Sequence, residues 1–190
     1  MSLSLRRFFI QKRTLTTFYE LFPKTFPDKK PIWSIDQTKL RKEYRALQAQ
    51  HHPDMVKEGE IDKQSTLLNK AYHVLKEPLR RSQYMIKLLH DIDLTQDSVK
   101  EKITNSDPDI LMKVIDIHEQ LMEIEDENDV NKVRQENQER IDAIEKKLTD
   151  AFERKDFDTA IKLTVELKYW SNVAYAIKEW APGKEIHLNH

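Results

Sequence analysis

Apolar residues in this chain recur at helical spacing, and glycine, which loosens helices, occurs only at Gly59 and Gly183. A 3.6-residue period does not suit a strand, whose side chains alternate with a period of two. Charged residues make up 34% of the chain and seven prolines punctuate it. The fold class predicted from this pattern is all-α, with small cores and limited burial in each. A length of 190 residues suits one ordinary domain or two small ones.

Several functions are disfavoured at once. The net charge is −1, so no global field invites nucleic acid or an acidic lipid surface. Cysteine is absent, which removes disulfides, thiolate-bound clusters, a Cys-rich zinc site and a cysteine nucleophile. No apolar run approaches the roughly 18 residues that cross a bilayer. The expectation is no cofactor, no resident metal, no nucleic-acid partner and no membrane span.

Residues 1–16 differ from the rest of the chain. They carry Arg6, Arg7, Lys12 and Arg13 without one acidic residue, interleaved with Leu3, Leu5, Phe8, Phe9 and Ile10. This basic, hydroxyl-rich, amphipathic composition suits a mitochondrial presequence better than a frayed arm, with cleavage near Arg13 and the matrix as destination.

Thr17–Phe22 reads as a short helical turn, and Pro23, Pro27 and Pro31 then forbid a continuous helix. A helix is predicted over 36–50, with Leu40, Tyr44 and Leu47 on one face and Lys39, Arg41, Lys42 and Arg45 on the others. His52-Pro53 ends it, because a residue before proline is driven out of the helical region. The next helix starts near Asp62 or Ser65, carries Leu68, Ala71, Tyr72 and Leu75 at core spacing, and breaks at Glu77-Pro78. Another continues to about Leu89. Residues 17–90 form one predicted unit and 91–105 an interdomain segment. In 106–190, Ser106-Asp107-Pro108 opens a helix to about Asp126, and Asn128-Asp129 caps a second to about Arg154. Asp156-Phe157-Asp158 opens a third, ending near Trp180. Short loops between long helices favour a three-helix bundle.

The chemistry-bearing candidate is His52-Pro53-Asp54. A metal reading that includes His51 lacks further ligands at suitable spacing. A hydrolase reading lacks a nucleophile elbow or Gly-rich oxyanion loop. Its neighbours are more informative: Tyr19, the basic helix, then Asn69-Lys70-Ala71-Tyr72, Leu75-Lys76-Glu77-Pro78 and Arg81-Ser82-Gln83-Tyr84, all in order. Together they resemble the J-domain family. That resemblance implies a docking surface for a heat-shock-70 ATPase chaperone, formed by His52, Pro53, Asp54, Lys39, Arg41, Lys42 and Arg45. Basic side chains would steer towards an acidic partner, and Asp54 would bond a partner arginine. The J-protein would have no active site of its own and would promote hydrolysis by its partner.

The helix after Asp107 bears two apolar lines. Ile110, Val114, Ile117, Leu121 and Ile124 form one; Leu111, Ile115 and Met122, with His118, form the other, about a quarter-turn away. Periodicity leaves the second line open between a wider core and an exposed binding patch. Ser106-Asp107-Pro108, the segment Leu163–Trp170 and Trp180-Ala181-Pro182-Gly183 resemble the HscB family of iron–sulfur assembly J-proteins, in its fungal mitochondrial branch. That resemblance implies a four-helix J-domain joined in an L to a three-helix bundle that binds the iron–sulfur cluster scaffold protein. The residues carried over are Leu111, Ile115 and Tyr169, with Ile110, Lys113, Asp116, Glu119, Gln120 and Glu123 around them. Its implied role is to bring the scaffold to a mitochondrial heat-shock-70 chaperone and promote cluster transfer. The rival expectation is a J-domain co-chaperone for another mitochondrial client, in import or folding.

Overall fold

The computed structural model describes residues 16–50, 61–96 and 108–181. Within them the chain is helical throughout, with no strand among the described residues. A 3-10 turn, Phe18–Leu21, precedes α1 (Gln37–Gln50), α2 (Ile61–Lys76) and α3 (Pro78–His90). The second half contains α4 (Pro108–Glu123), α5 (Glu127–Glu153) and α6 (Phe157–Glu179). Residues 1–15 of the expected presequence, the His52-Pro53-Asp54 loop, the Ser106-Asp107 cap and most of the expected interdomain segment lie outside the described residues.

Local chemistry sets the boundaries. Asp36 caps α1 through its carboxylate, which accepts from the backbone N–H of Thr38 and Lys39 at 3.0 and 2.9 Å. Glu77 keeps an extended backbone before Pro78, which opens α3, as a proline at the first helical position should. Two expectations are corrected in the bundle. α4 ends at Glu123 rather than Asp126, and the cap of α5 is Asp126 rather than Asn128-Asp129. The Asp126 carboxylate accepts from Asn128 N at 2.7 Å; an aspartate in extended conformation satisfies a free helix-terminal donor better than a helix continued through it. α5 closes in a Schellman turn. Lys155 takes a left-handed φ of 59°, and the N–H groups of Lys155 and Asp156 return to Phe152 and Ala151. Asp156 then caps α6 through Thr159.

The first core gathers Tyr19, Phe22 and Phe26 over Leu40, Leu68, Ala71, Leu75 and Ile86. α5 packs along α6 in the second half, enclosing Val130, Ile144, Leu148, Leu167, Trp170 and Val173. The two cores are continuous, because α3 packs on α6. At this seam Trp33 is 5% exposed, stacks on Phe152 at 5.2 Å and donates from Nε1 to Thr149 Oγ1 at 2.9 Å. Ser82 and Thr164 share a buried hydroxyl–hydroxyl bond. The ring of His90 lies 3.9 Å from that of Phe157.

Arg81 is the buried charge of the seam. Its guanidinium lies 4.4 Å from the Trp33 ring centroid and donates to the Leu75 carbonyl at 2.7 Å. Burial pushes the guanidinium below its ordinary pKa, opposed by Tyr19 and Glu145. The Glu145 carboxyl is raised by its own burial, with Arg81 pulling it back. Two signature residues of the first half thus have structural work. Arg81 backs Trp33, the ring that reaches across the seam to Phe152 and Thr149, and Tyr84 accepts from Phe18 N at 2.9 Å while stacking on Phe18 at 4.5 Å.

Replacing Trp33 removes a buried ring, a stack and a hydrogen bond together. Trp33→Ala should lower the unfolding free energy by ~3–5 kcal/mol, measured by urea denaturation monitored by circular dichroism. A loss below ~1 kcal/mol would show that the seam is not a packed interior.

Candidate functional site

Two surfaces carry the candidate residues. On α1, Leu40 is buried and Tyr44 and Leu47 pack against the core, which turns Lys39, Arg41, Lys42 and Arg45 outwards; all four are exposed. Lys39 makes only a long ion pair with Asp36, at 3.8 Å. In water such a pair is weak, so the face keeps its positive character. Lys70 on α2 is exposed as well.

Below this face lies a polar zip between α1 and α2. Asn69 Oδ1 accepts from Tyr44 Oη at 2.6 Å and from Gln48 Nε2 at 2.7 Å. Ser65 Oγ donates to Gln48 Oε1 at 3.2 Å, and Tyr44 stacks on Tyr72 at 4.0 Å. These contacts join the second half of α1 to the stretch Ser65–Tyr72 of α2. They therefore fix the two helices from which residues 51–60 depart and to which they return.

Sequence reasoning missed Glu43. It is buried, and its carboxylate accepts from Lys24 N, Thr25 N and Thr25 Oγ1 at 2.8, 2.7 and 2.7 Å. It holds the Pro23–Phe26 turn against α1. The signal was present, since Glu43 lies three residues after Leu40 and four before Leu47 on the inward face. A carboxylate there needs buried donors.

The second surface is α4. Val114, Ile117 and Leu121 are buried, while Ile110 and Ile124 are partly buried against the core. The other apolar line is not absorbed into that core. Ile115 is 48% exposed and Met122 63% exposed, Leu111 and His118 are half-buried, and Met112 on the crest of the helix is 60% exposed. Lys113, Asp116, Glu119, Gln120 and Glu123 are exposed. On α6, which packs beside α4, Trp170 is buried and Tyr169 half-buried. The choice that periodicity left open for Ile115 and Met122 is settled: they face solvent. Contiguous exposed apolar side chains framed by charge are the composition of an interaction surface.

Among the described residues no cluster of three or more His, Cys, Asp or Glu side chains could hold a metal. None of the described helices is long and apolar enough to cross a membrane.

Comparison with known proteins defines the class first. Residues 33–84 match the DnaJ domain and residues 106–178 match the HSCB C-terminal oligomerisation domain: a J-domain leading into a dedicated C-terminal bundle. The chain is 57% identical over 184 residues to the mitochondrial J-type co-chaperone JAC1 of Saccharomyces cerevisiae, covering 97% of this chain and 99% of that protein. It is 32% identical over 154 residues to the human iron–sulfur cluster co-chaperone protein HscB, covering 76% of this chain and 62% of the human one. The solved structure of Jac1 from S. cerevisiae (5-182 clone) superposes with a TM-score of 0.82 at 58% identity, over 93% of this chain and all of that one. The crystal structure of human HscB superposes with a TM-score of 0.64 at 27% identity, over 85% and 82% of the two chains. The chain belongs to the Jac1/HscB family of J-type co-chaperones.

The exposure of α4 separates side chains that build the bundle from those free for other use. Leu121→Ala should cost ~2–5 kcal/mol of stability, and Ile115→Ala less than ~1 kcal/mol, in urea unfolding. Equal losses would show that the second line is core after all.

Proposed function

We propose that this protein is a mitochondrial-matrix co-chaperone of iron–sulfur cluster assembly, acting through two separate surfaces. Residues 17–90 form the J-domain and 106–190 the client-binding bundle, joined by 91–105, while 1–16 are a presequence. The α4 surface, with Leu111, Ile115 and Tyr169 at its centre and Ile110, Lys113, Asp116, Glu119, Gln120 and Glu123 around them, binds the iron–sulfur scaffold protein. The basic face of α1, with His52, Pro53 and Asp54, docks on a heat-shock-70 ATPase.

The observation that carries this reading is the exposed apolar flank of α4, with Ile115 and Met122 in solvent beside an ordinary buried stripe. A bundle of this size gains nothing from leaving such side chains in water, and burial of apolar surface is the main favourable term in association. The acidic residues on the crest add charge selection. Membership in a family that includes a protein named as an iron–sulfur cluster co-chaperone points to the client; a relative named mitochondrial supports the compartment.

The division of labour comes from the chemistry. The exposed cations Lys39, Arg41, Lys42 and Arg45 speed encounter with an acidic ATPase surface. Asp54 supplies a charge-assisted bond to a partner arginine. The partner hydrolyses ATP; this chain supplies no reacting group. Clamping of the ATPase on the scaffold then favours release of the cluster to acceptor proteins.

Two variants separate the surfaces. Asp54→Ala should abolish stimulation of heat-shock-70 ATPase turnover while leaving scaffold affinity unchanged. Leu111→Ala with Ile115→Ala and Tyr169→Ala should weaken scaffold binding by at least about a hundredfold and leave basal ATPase stimulation intact. If the triple variant binds scaffold normally by titration calorimetry, the surface is wrongly assigned, and a client in import or folding becomes the better reading.

A further inference from the structure

The outer face of α4 does not end at its apolar flank. At about 100° per residue, Leu111 and Ile115 lie on one edge of the exposed arc. Met112, Glu119 and Glu123 form its crest, and Asp116, Lys113 and Gln120 its opposite edge. Beyond this second edge a groove of 480 Å³ opens between α4 and α5, floored by α6. Lys113, Arg140, Ile144, Lys147, Glu166 and Trp170 line it, with Asp116 at its lip.

The groove has an apolar floor and a charged wall. Trp170 and Ile144 are buried, and the Arg140 guanidinium lies 5.2 Å from the Trp170 ring centroid. This stacking orients a planar cation along the groove. Arg140 Nη2 reaches Glu136 at 3.5 Å, at the limit of a hydrogen bond. Its Nη1 is buried and has no hydrogen-bond partner among the described residues. That donor is sealed from solvent, but the Arg140 side chain as a whole is 38% exposed, so its remaining N–H groups can serve an acceptor in the groove. Glu166 is engaged by Trp170 Nε1 at 3.3 Å. Lys113 and Lys147 are exposed, and neither is ion-paired among the described residues.

We propose that this groove receives a carboxylate side chain, an aspartate or glutamate, of the scaffold protein. Arg140 is the principal donor, with Lys147 and Lys113 at its sides. The inference rests on the reading of α4 as the scaffold surface and extends that surface to α5. A partner that covers both edges of α4 necessarily abuts α5 at the groove. The ridge of Asp116, Glu119 and Glu123 calls for cations on that partner, whereas the groove calls for an anion one helix further on. Such an alternation fixes register, because a partner shifted sideways meets like charge. The flat floor suits the methylenes of an acidic side chain, and Asp116 and Glu166 disfavour an anion of higher charge.

The test is titration calorimetry of the full chain with purified scaffold protein at low and high salt. Lys147→Glu, on an exposed position, should weaken binding and flatten its dependence on salt. Arg140→Met combined with Lys147→Gln should weaken it about tenfold, with thermal unfolding confirming that the bundle is intact. Wild-type affinity and salt dependence in Lys147→Glu, beside loss of binding in the Leu111/Ile115/Tyr169 triple variant, would overturn the groove alone. Wild-type binding by the triple variant would overturn the reading of α4, and the groove proposal with it. Self-association of the wild-type chain in sedimentation, abolished by Lys147→Glu, would make the groove a contact between copies and overturn the proposal too.

Discussion

The contact of Arg81 with Trp33 is the constraint on which the rest of the arrangement depends. A guanidinium taken out of water is costly unless its surroundings compensate. Here Trp33 covers its face, the Leu75 carbonyl accepts from one nitrogen, and the Tyr19 hydroxyl and Glu145 carboxyl oppose the effect of its burial. Those groups come from the loop before α1, the end of α2, the 3-10 turn and α5. Three of them belong to the first half and Glu145 to the second, so docking brings a carboxylate towards a cation whose Nε has no hydrogen-bond partner among the described residues. Ser82 with Thr164, and Trp33 with Thr149, add hydrogen bonds with little freedom of position. The two faces assigned to partners are thereby carried on one continuous interior.

That continuity bears on how a co-chaperone couples two partners. A flexible tether would raise the effective concentration of client and ATPase but leave their orientation open. A packed seam also restricts orientation. The basic face of α1 lies on one half and the exposed flank of α4 on the other, and neither side-chain set enters the seam. Partners bound to both are thus presented in a defined geometry without competing for the same residues.

Much of this was legible in the sequence, for identifiable reasons. α1, α2 and α3 are set by apolar spacing, by Asp36 and by Glu77-Pro78, all local signals. The Lys39, Arg41, Lys42 and Arg45 face needed only the observation that Leu40 and Leu47 point inwards. The misses share a cause. The cap of α5 was misplaced because Asp126 and Asn128 are both good capping residues, and the choice depends on backbone conformation. Arg81 reads as a family signature, yet its role as the seam's cation depends on Trp33, far away in sequence. Glu43 sits in the interior because a partner elsewhere, the Lys24-Thr25 backbone, satisfies it, and the buried Asn137 likewise donates from Nδ2 to the distant Trp170 carbonyl. The groove beside α5 was invisible for the same reason, since its residues come from three helices.

One measurement bears most directly on the coupling of the two surfaces. Single-turnover ATP hydrolysis by the heat-shock-70 partner is monitored with the intact chain, with scaffold protein, and with both. If both partners are held in one geometry, the rate with both exceeds the product of the two separate enhancements. A rate no greater than that product would mean that the faces act independently, and that the seam contributes stability alone.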